Sequence, residues 1–327
     1  MSLGADTVYL CERGKEGVTL LEYRGLDSLA VVPEQIGGAA VTALAPYVFS
    51  KHGNDDTQHP AAFWQSGDGV AVPRDEAVKL PRVKGDSLEE LRLPGSLRRV
   101  GAYGFYNCGR LKRLELYSTT LDWGTGVFAG CGGIRELEIH VDESRRSCLK
   151  EILAELRQTL TVDYDGAERA RLIFPEFFEE AVENTPARIL VTNTHGCGQK
   201  YRNAFVGTQF QFREYDSLFP HVQVQEPEEL AVELAMGRLR YPCCLAEEHR
   251  AQYMDYLREH RIAAACQAVD GSDGEKLEWL TGEIRYEAED LNTVIERARM
   301  NGNTAAVSLL MDKARRKGTV RRRKFGL

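Results

Sequence analysis

The string THGCGQKYR, residues 194–202, holds the side chains best suited to covalent chemistry. Cys197 lies two positions after His195 and is followed by the bases Lys200 and Arg202. Neighbouring positive charge lowers the pKa of a thiol and increases its share of reactive thiolate. The string therefore supports a thiol-dependent enzyme that uses Cys197 near His195 as one alternative. A turn or a helix interruption explains its glycines more simply. A catalytic dyad also requires neighbours in space rather than in sequence.

Metal and nucleotide chemistry have less support in the sequence. Cys197 and His195 offer two metal ligands, and the group Cys243, Cys244 and His249 offers three. A closed structural zinc site needs four ligands. Glycine-rich phosphate-binding motifs after a strand are absent from the sequence. We therefore predict no metal, no cofactor and no enzymatic activity.

Residues 313–327 form a basic tail. It contains eight Lys and Arg residues and no acid, although the whole chain carries a net charge of −7. The tail could be a solvated end, a contact for nucleic acid or an anionic membrane, or a strap on the acidic body of the chain. Phosphate binding by such tails is nonspecific and salt-sensitive. We take the solvated end as the default and weak nucleic-acid binding as an alternative.

The elements that would position any site are set by a 23-residue repeat in the first half of the chain. Each unit contains a Leu-x-Leu triplet, whose outer residues share one face of a short strand. Glycine-rich turns follow the strands, and stacking several units buries their apolar sides continuously. The register predicts a solenoid whose interior is lined by Leu91, Leu114, Leu137 and Leu160.

The segments LRLPGSLRRVGAYGFYNCGRLKRLEL (91–116) and VFAGCGGIRELEI (127–139) carry this repeat. They resemble the BspA-like class of bacterial leucine-rich repeats. The resemblance covers about residues 17–164, including a degenerate copy at 31–49 whose Val41, Leu44 and Phe49 keep the spacing. It implies a solenoid of short parallel strands that presents a surface to a macromolecular partner.

Two segments depart from the repeat. An insertion at about 51–87 is expected to emerge as loops on one face of the solenoid, often the binding face. Residues 147–157 place Leu149, Ile152, Leu153 and Leu156 at helical spacing. We predict that this amphipathic helix replaces a glycine-rich turn and closes the stack.

The middle positions of the strands form exposed columns. A strict 23-residue step predicts three of them: Glu90, Arg113, Glu136 and Thr159; Arg92, Glu115, Glu138 and Thr161; and Tyr117, His140 and Asp163. The first column alternates in sign and can pair internally. Glu115 beside Glu138 could be relieved by a cation or a basic partner. We predict a partner-binding patch at Tyr117, His140, Asp163, Glu115 and Glu138, with a solvated strand face as the alternative.

The second half is predicted to be helical. Pro175 followed by acids resembles a helix start over 175–184, and Pro227 repeats the device. Leu277, Trp279 and Leu280 precede Val307, Leu309 and Leu310 by 30 residues, which indicates repeated helix pairs. These pairs are either ankyrin-like or generic helical hairpins.

We predict an α+β chain: a leucine-rich repeat domain over 1–168, an all-α helical-repeat domain over 169–312, and the basic tail. Cys108 and Cys131 should stack on adjacent coils, close enough for a disulfide in principle, and we favour buried, reduced thiols. No apolar stretch approaches the ~18 residues of a membrane span, and the N-terminus lacks a signal pattern. We expect a cytoplasmic, bacterial scaffold that binds a protein partner.

Overall fold

The computed structural model describes residues 7–51, 59, 61–184 and 189–323. The chain divides into two compact units, Met1–Tyr215 and Asp216–Leu327. Its strands, in chain order, are β1 (Val8–Arg13), β2 (Val18–Arg24), β3 (Leu29–Val31), β4 (Gln35–Ile36), β5 (Ala39–Leu44), β6 (Phe63–Ser66), β7 (Glu90–Arg92), β8 (Arg99–Val100), β9 (Arg113–Tyr117), β10 (Asp122–Trp123), β11 (Glu136–His140), β12 (Leu160–Asp165), β13 (Arg169–Phe174), β14 (Phe178–Asn184), β15 (Ile189–His195), β16 (Phe205–Val206) and β17 (Gln209–Phe210). Its helices are α1 (Arg74–Ala77), α2 (Leu149–Glu155), α3 (Gly198–Arg202), α4 (Phe212–Ser217), α5 (Phe219–Gln225), α6 (Glu228–Arg240), α7 (Glu247–Glu259), α8 (Arg261–Asp270), α9 (Gly274–Glu283), α10 (Ala288–Met300) and α11 (Thr304–Arg323).

The first unit contains a leucine-rich repeat solenoid. Its Leu-x-Leu strands form a sheet of order β13-β12-β11-β9-β7-β3. Within this sheet, β3, β7, β9, β11 and β12 run parallel to one another. Leu91 lies opposite Leu114, and Leu114 lies opposite Leu137, as the 23-residue repeat predicts. All three side chains are buried, so the predicted interior is confirmed for these coils.

The last coil differs from the predicted register. Leu137 lies opposite Val162 instead of Leu160. Helix α2 takes the place of the glycine-rich turn, and its different length moves β12 along by two residues. Because strand side chains alternate between faces, a two-residue shift keeps Leu160 and Val162 buried and changes only their neighbours.

The predicted closing helix is confirmed as α2. Its Leu149, Ile152 and Leu153 are buried, and Leu156 is buried directly after it. The sheet then ends with β13, which pairs antiparallel with β12. An antiparallel edge strand stops the solenoid from adding further parallel coils.

The opposite side of the solenoid confirms the degenerate copy at 31–49. Leu44 of β5 lies opposite Val100 of β8, and both strands run parallel. Phe49 contacts Phe105 at a ring-centroid distance of 6.0 Å, and Phe105 contacts Phe128 at 5.5 Å. These contacts form an aromatic ladder through successive coils.

Cys108 and Cys131 occupy adjacent steps beside this ladder. The thiol of Cys108 donates to the carbonyl of Phe49 over 3.3 Å, and that of Cys131 donates to Phe105 over 3.0 Å. Both are buried thiols, as predicted.

The described part of the insertion covers one end of the solenoid, which corrects the expectation of binding loops. Strand β6 pairs antiparallel with β1, and Trp64 and Ala77 share an apolar cluster with Val8 and Leu10. This cluster gives the end of the stack a buried interior, so the insertion acts as a cap. Residues 52–58 and 60 of the insertion lie outside the described residues.

The predicted helix over 175–184 is wrong. Residues Phe178–Asn184 form β14, which pairs antiparallel with β15. The run of Ile, Leu, Val and Thr in β15 supplies a partner strand, and pairing with it overrides the acid-rich helix-start signal. The first unit therefore extends to Tyr215, beyond the predicted domain boundary at residue 168.

The second unit is helical, as predicted, and it repeats a helix pair. The predicted all-α domain over 169–312 is wrong for its first part, which contains strands β13 to β17. The turn between α8 and α9 and the turn between α10 and α11 share one geometry. Asp273 N donates to Ala268 O and Asn303 N donates to Ala298 O, each over 2.9 Å. Asp273 and Asn303 each cap the following helix with a side-chain oxygen. The 30-residue spacing therefore corresponds to a repeated structural unit.

A buried ion pair lies in the core of the second unit. Arg238 donates to both carboxylate oxygens of Asp216, over 2.7 and 2.9 Å, and both side chains are fully buried. Tyr253 donates a further hydrogen bond to Asp216 over 2.9 Å. Helix α11 continues to Arg323, so residues 313–323 of the basic tail are helical instead of an irregular end. Residues 324–327 lie outside the described residues.

Candidate functional site

The predicted patch lies on the exposed face of β9, β11 and β12. Tyr117 lies opposite His140, as the repeat predicts, but His140 lies opposite Asp165 instead of Asp163. Asp163 lies opposite Glu138 in the neighbouring column. The shifted register of β12 thus replaces one acid with another in the predicted column.

His140 lies between two carboxylates. Its Nδ1 is 3.0 Å from Asp165 Oδ2, and its Nε2 is 3.2 Å from Glu115 Oε1. Only an imidazolium carries a hydrogen on both ring nitrogens and can donate to both acids at once. The ring also contacts Tyr117, with centroids 4.6 Å apart. His140 therefore connects three of the strand-face side chains.

Two further groups in this column have altered acidity. The hydrogen bond from Arg169, 2.9 Å from Asp165, lowers the pKa of that carboxyl, and the contact with His140 adds to the effect. Burial raises the pKa of Tyr117, and the surrounding carboxylates, led by Glu115, raise it further. The tyrosine is therefore a neutral hydroxyl in a region of negative potential.

The neighbouring acids are neutralised by the chain itself. Glu115 and Glu138 are adjacent, as predicted, but Arg92 Nε lies 3.3 Å from Glu115 and Arg113 bonds Glu138. The predicted need for an external cation is therefore met internally. Arg113 also lies 3.1 Å from Glu136, which confirms internal pairing in the alternating column.

Asp163 has a different partner from the one predicted. Arg171 of β13 donates to both of its carboxylate oxygens, over 2.9 and 3.1 Å. This bidentate pair holds Asp163 against β13 and away from Tyr117.

An open depression of about 230 Å³ lies at the carboxyl ends of these strands. Its walls are residues 117–119, residues 140–142 and Asp165. Asp142 accepts hydrogen bonds from the backbone N–H and hydroxyl of Ser144. No described cation pairs with Asp142, which leaves its negative charge uncompensated at the rim. The depression can accept a cationic or hydrogen-donating side chain.

The string around Cys197 does not form an accessible dyad. Cys197 is fully buried, directly before α3. His195 is exposed on β15, stacks on Phe178 with centroids 4.6 Å apart, and lies 3.2 Å from Glu180. Gly198 is required for close packing, because a Cβ there would lie 2.0 Å from the carbonyl oxygen of Pro175.

Arg202, predicted to activate the thiol, has a structural role instead. Its buried guanidinium donates to the carbonyls of Leu156, Gln158, Pro175 and Gly198. It also lies 5.0 Å from the ring centroid of Phe177. Burial lowers the pKa of Arg202 to about 10. The string is therefore a packed corner that joins α3 to the end of α2.

Sequence reasoning missed Asp165 and its partner Arg169. Both lie after the helix that replaces a turn, where the repeat no longer fixes the register. The available signal was the alternation Thr161, Asp163, Asp165, in which either acid could face His140. The segment 147–157 showed that the last coil was irregular without giving the size of the shift.

No protein-family model matches the sequence, and none of the curated proteins matches it. The structure is similar to a leucine-rich cell surface protein from Faecalibacterium prausnitzii, with 16% identity over 41% of this chain and 30% of that chain, and a TM-score of 0.26. It is also similar to a leucine-rich repeat protein of T. pallidum, with 18% identity over 42% of this chain and 73% of that chain, and a TM-score of 0.18.

Neither similarity bears on function at these values, and the fold assignment rests on the strand register described above. Among the residues that the structure describes, no helix combines the length and the apolar character needed to cross a bilayer.

Proposed function

We propose that this chain is a non-enzymatic scaffold that binds a protein partner at the Tyr117 patch. The patch lies on the leucine-rich repeat solenoid, on the sheet of parallel strands β3, β7, β9, β11 and β12. We define the Tyr117 patch as Tyr117, His140, Asp165, Glu115 and Asp142. The observation that carries the proposal is the depression at the strand ends, which has an aromatic pair on one side and an uncompensated carboxylate on its rim. Extended repeat surfaces of this kind suit macromolecular partners.

The charges favour a partner that contributes Arg or Lys. Burial raises the pKa of Tyr117 most, and the carboxylates of Glu115, Glu34, Glu138 and Asp165 raise it further. Negative potential therefore surrounds its ring. A guanidinium combines planar donors for carboxylates with a flat face that packs on aromatic rings. An Arg side chain placed in the depression would reach Asp142 without displacing an existing ion pair.

The environment of the thiols supports the remaining parts of the proposal. All eight cysteines are thiols, which fits a reducing compartment such as the cytoplasm. The burial of Cys197 and the structural role of Arg202 argue against the thiol-dependent alternative.

The test is a photo-crosslinking experiment with a matched control. A photoreactive amino acid replaces Thr119, at the wall of the depression, or Glu136, which is exposed on the same strand face in another column. Each variant is mixed with extract from the native cell and irradiated. The crosslinked proteins are identified by mass spectrometry. We expect a partner that crosslinks at residue 119, not at 136, and that is lost in Asp142→Asn. Equal crosslinking at both positions, or crosslinking that Asp142→Asn leaves unchanged, would refute binding at this patch.

A further inference from the structure

The hairpin of β14 and β15 is an arm that lies apart from both main sheets. It forms a two-stranded sheet of its own, and no third described strand pairs with it. The described side chains of both strands, at 178–182 and 192–195, are exposed on both faces of the hairpin. Phe178 is 55% exposed and Val182 is 37% exposed. An isolated two-stranded hairpin is only marginally stable in water, so this arm lacks part of the packing that a stable sheet needs.

The two edges of the arm differ in their surroundings. The β14 edge is held at its base, where Phe177 N donates to Arg157 O over 3.1 Å. Arg157 also donates to Glu179 over 3.0 Å and lies 5.4 Å from the ring centroid of Phe177. The β15 edge has no described strand beside it. The arm is therefore anchored through β14, and β15 is the edge left for pairing.

The charges of the two edges also differ. Strand β14 carries Glu179, Glu180 and Glu183, whereas β15 reads ILVTNTH and has no charged residue before His195. Natural edge strands are usually protected from pairing by charges, prolines or bulges. Two copies of β14 would repel each other, but two copies of β15 would not. The β15 edge therefore carries no like charges that would oppose pairing with a second copy of itself.

We propose that β15 pairs antiparallel with β15 of a second copy of this chain. The result is a four-stranded sheet with β14 strands at its outer edges and a two-fold axis through its centre. The pairing satisfies outward-facing backbone groups of β15, and it places Phe178 and Val182 of both copies on one face. The three-glutamate strands then form the outer edges, where their charges block further addition.

The register of this pairing follows from the strand bounds. Full overlap of two copies of Ile189–His195 places the central residue, Thr192, opposite Thr192 of the partner subunit. Residues that face each other across antiparallel strands have Cα atoms roughly 4.5–5.5 Å apart. Within one arm, Thr192 lies opposite Ala181 of β14. Ala181 therefore provides a control at the same register position on the outer strand.

Disulfide trapping in the full-length chain tests this register. A Cys244→Ser background removes the exposed native thiol, and Thr192→Cys or Ala181→Cys is then added. Under mild oxidation we expect Thr192→Cys to become a covalent dimer and Ala181→Cys to stay monomeric on non-reducing gels. Equal crosslinking of both variants, or none at Thr192, would overturn the proposed pairing.

A second pair of variants tests the association without a crosslink. Thr192→Glu places two carboxylates opposite each other at the two-fold axis, where like charges destabilise pairing. Ala181→Glu adds the same charge to the outer edge. By sedimentation velocity we expect the wild type and Ala181→Glu to dimerise and Thr192→Glu to be monomeric, with unchanged melting temperatures. A monomeric wild type, or a Thr192→Glu chain that still dimerises, would contradict the proposal.

Discussion

Replacing Arg202 with Met should destabilise the first unit substantially. Arg202 is 6% exposed, and its guanidinium donates to four backbone carbonyls. Methionine keeps an apolar stem against Phe177 and removes all of these donors.

The magnitude follows from two opposing contributions. Four hydrogen bonds from a charged donor, at about 1.5 kcal/mol each, stabilise the native state by about 6 kcal/mol. Burial lowers the pKa of Arg202 to about 10, which corresponds to a cost of about 3 kcal/mol at about 1.4 kcal/mol per pKa unit. Arg202→Met relieves that cost and loses the hydrogen bonds, so we expect a net loss of about 3 kcal/mol in the free energy of unfolding.

Arg157→Met is the matched control. Arg157 also lies over the ring of Phe177, but its side chain is 53% exposed and it pairs with a surface acid, Glu179. An exposed pair of this kind contributes about 0–1 kcal/mol, so the control should lose no more than that.

Urea denaturation followed by tryptophan fluorescence provides the measurement. A Trp279→Phe background leaves Trp64 and Trp123, both in the first unit, as the reporters. The variant should lower the urea midpoint with an unchanged slope. A loss for Arg202→Met that equals the loss for Arg157→Met would show that the buried guanidinium does not hold this corner together.

Four further predictions concern other parts of the chain. Iodoacetamide at neutral pH should modify Cys244 first and Cys197 last, because Cys244 is exposed and Cys197 is buried; fast labelling of Cys197 would restore the enzyme alternative. Asp165→Asn should cost about 0.5–1 kcal/mol at pH 7, since this carboxyl is partly exposed. The native pKa of Asp165 lies below its unfolded value, so its contribution is present above about pH 4 and is lost as the pH falls through the native pKa; pH-dependent urea melts should show the difference vanish in acid. Asp216→Asn should cost about 3–5 kcal/mol in thermal or urea unfolding of the second unit, because it leaves a buried guanidinium without its counter-charge; a loss below about 1 kcal/mol would contradict that role. If the basic tail binds nucleic acid, electrophoretic shifts should disappear with added salt or tail deletion, and salt-resistant binding would exclude this mechanism.

The sequence predicted the regular coils well because their geometry is set locally. Leu91, Leu114 and Leu137 each occupy the same position in a unit that contacts only its neighbours, so equal spacing produces equal pairing. The same reasoning located the degenerate copy, since Leu44 and Val100 keep their relation despite the long insertion between them.

The arm could not be predicted in this way. Pro175 and the acids after it fit the start of a helix, and only the pairing with a distant strand, Ile189–His195, decides the conformation of Phe178–Asn184. Local propensity gives no information about that partner. Likewise, the role of Arg202 depends on contacts with Leu156, just after α2, and Pro175, between β13 and β14, which are far from it in sequence.

The position of the Tyr117 patch follows from the two-residue shift of β12, which also made the predicted register of the last coil wrong. In the regular column of Glu90, Arg113 and Glu136, acid and base alternate, so a charge finds a partner one coil away, as Arg113 does with Glu136. Beyond His140 the chain leaves the repeat, and β12 returns with Asp165 where a strict step places Asp163. His140 gains its second carboxylate there, while Asp142, in the segment between β11 and α2, accepts hydrogen bonds from Ser144 and pairs with no described cation. An uncompensated charge therefore arises at the point where the repeat ends, and this is why we place the partner-binding surface there instead of along the regular strand face.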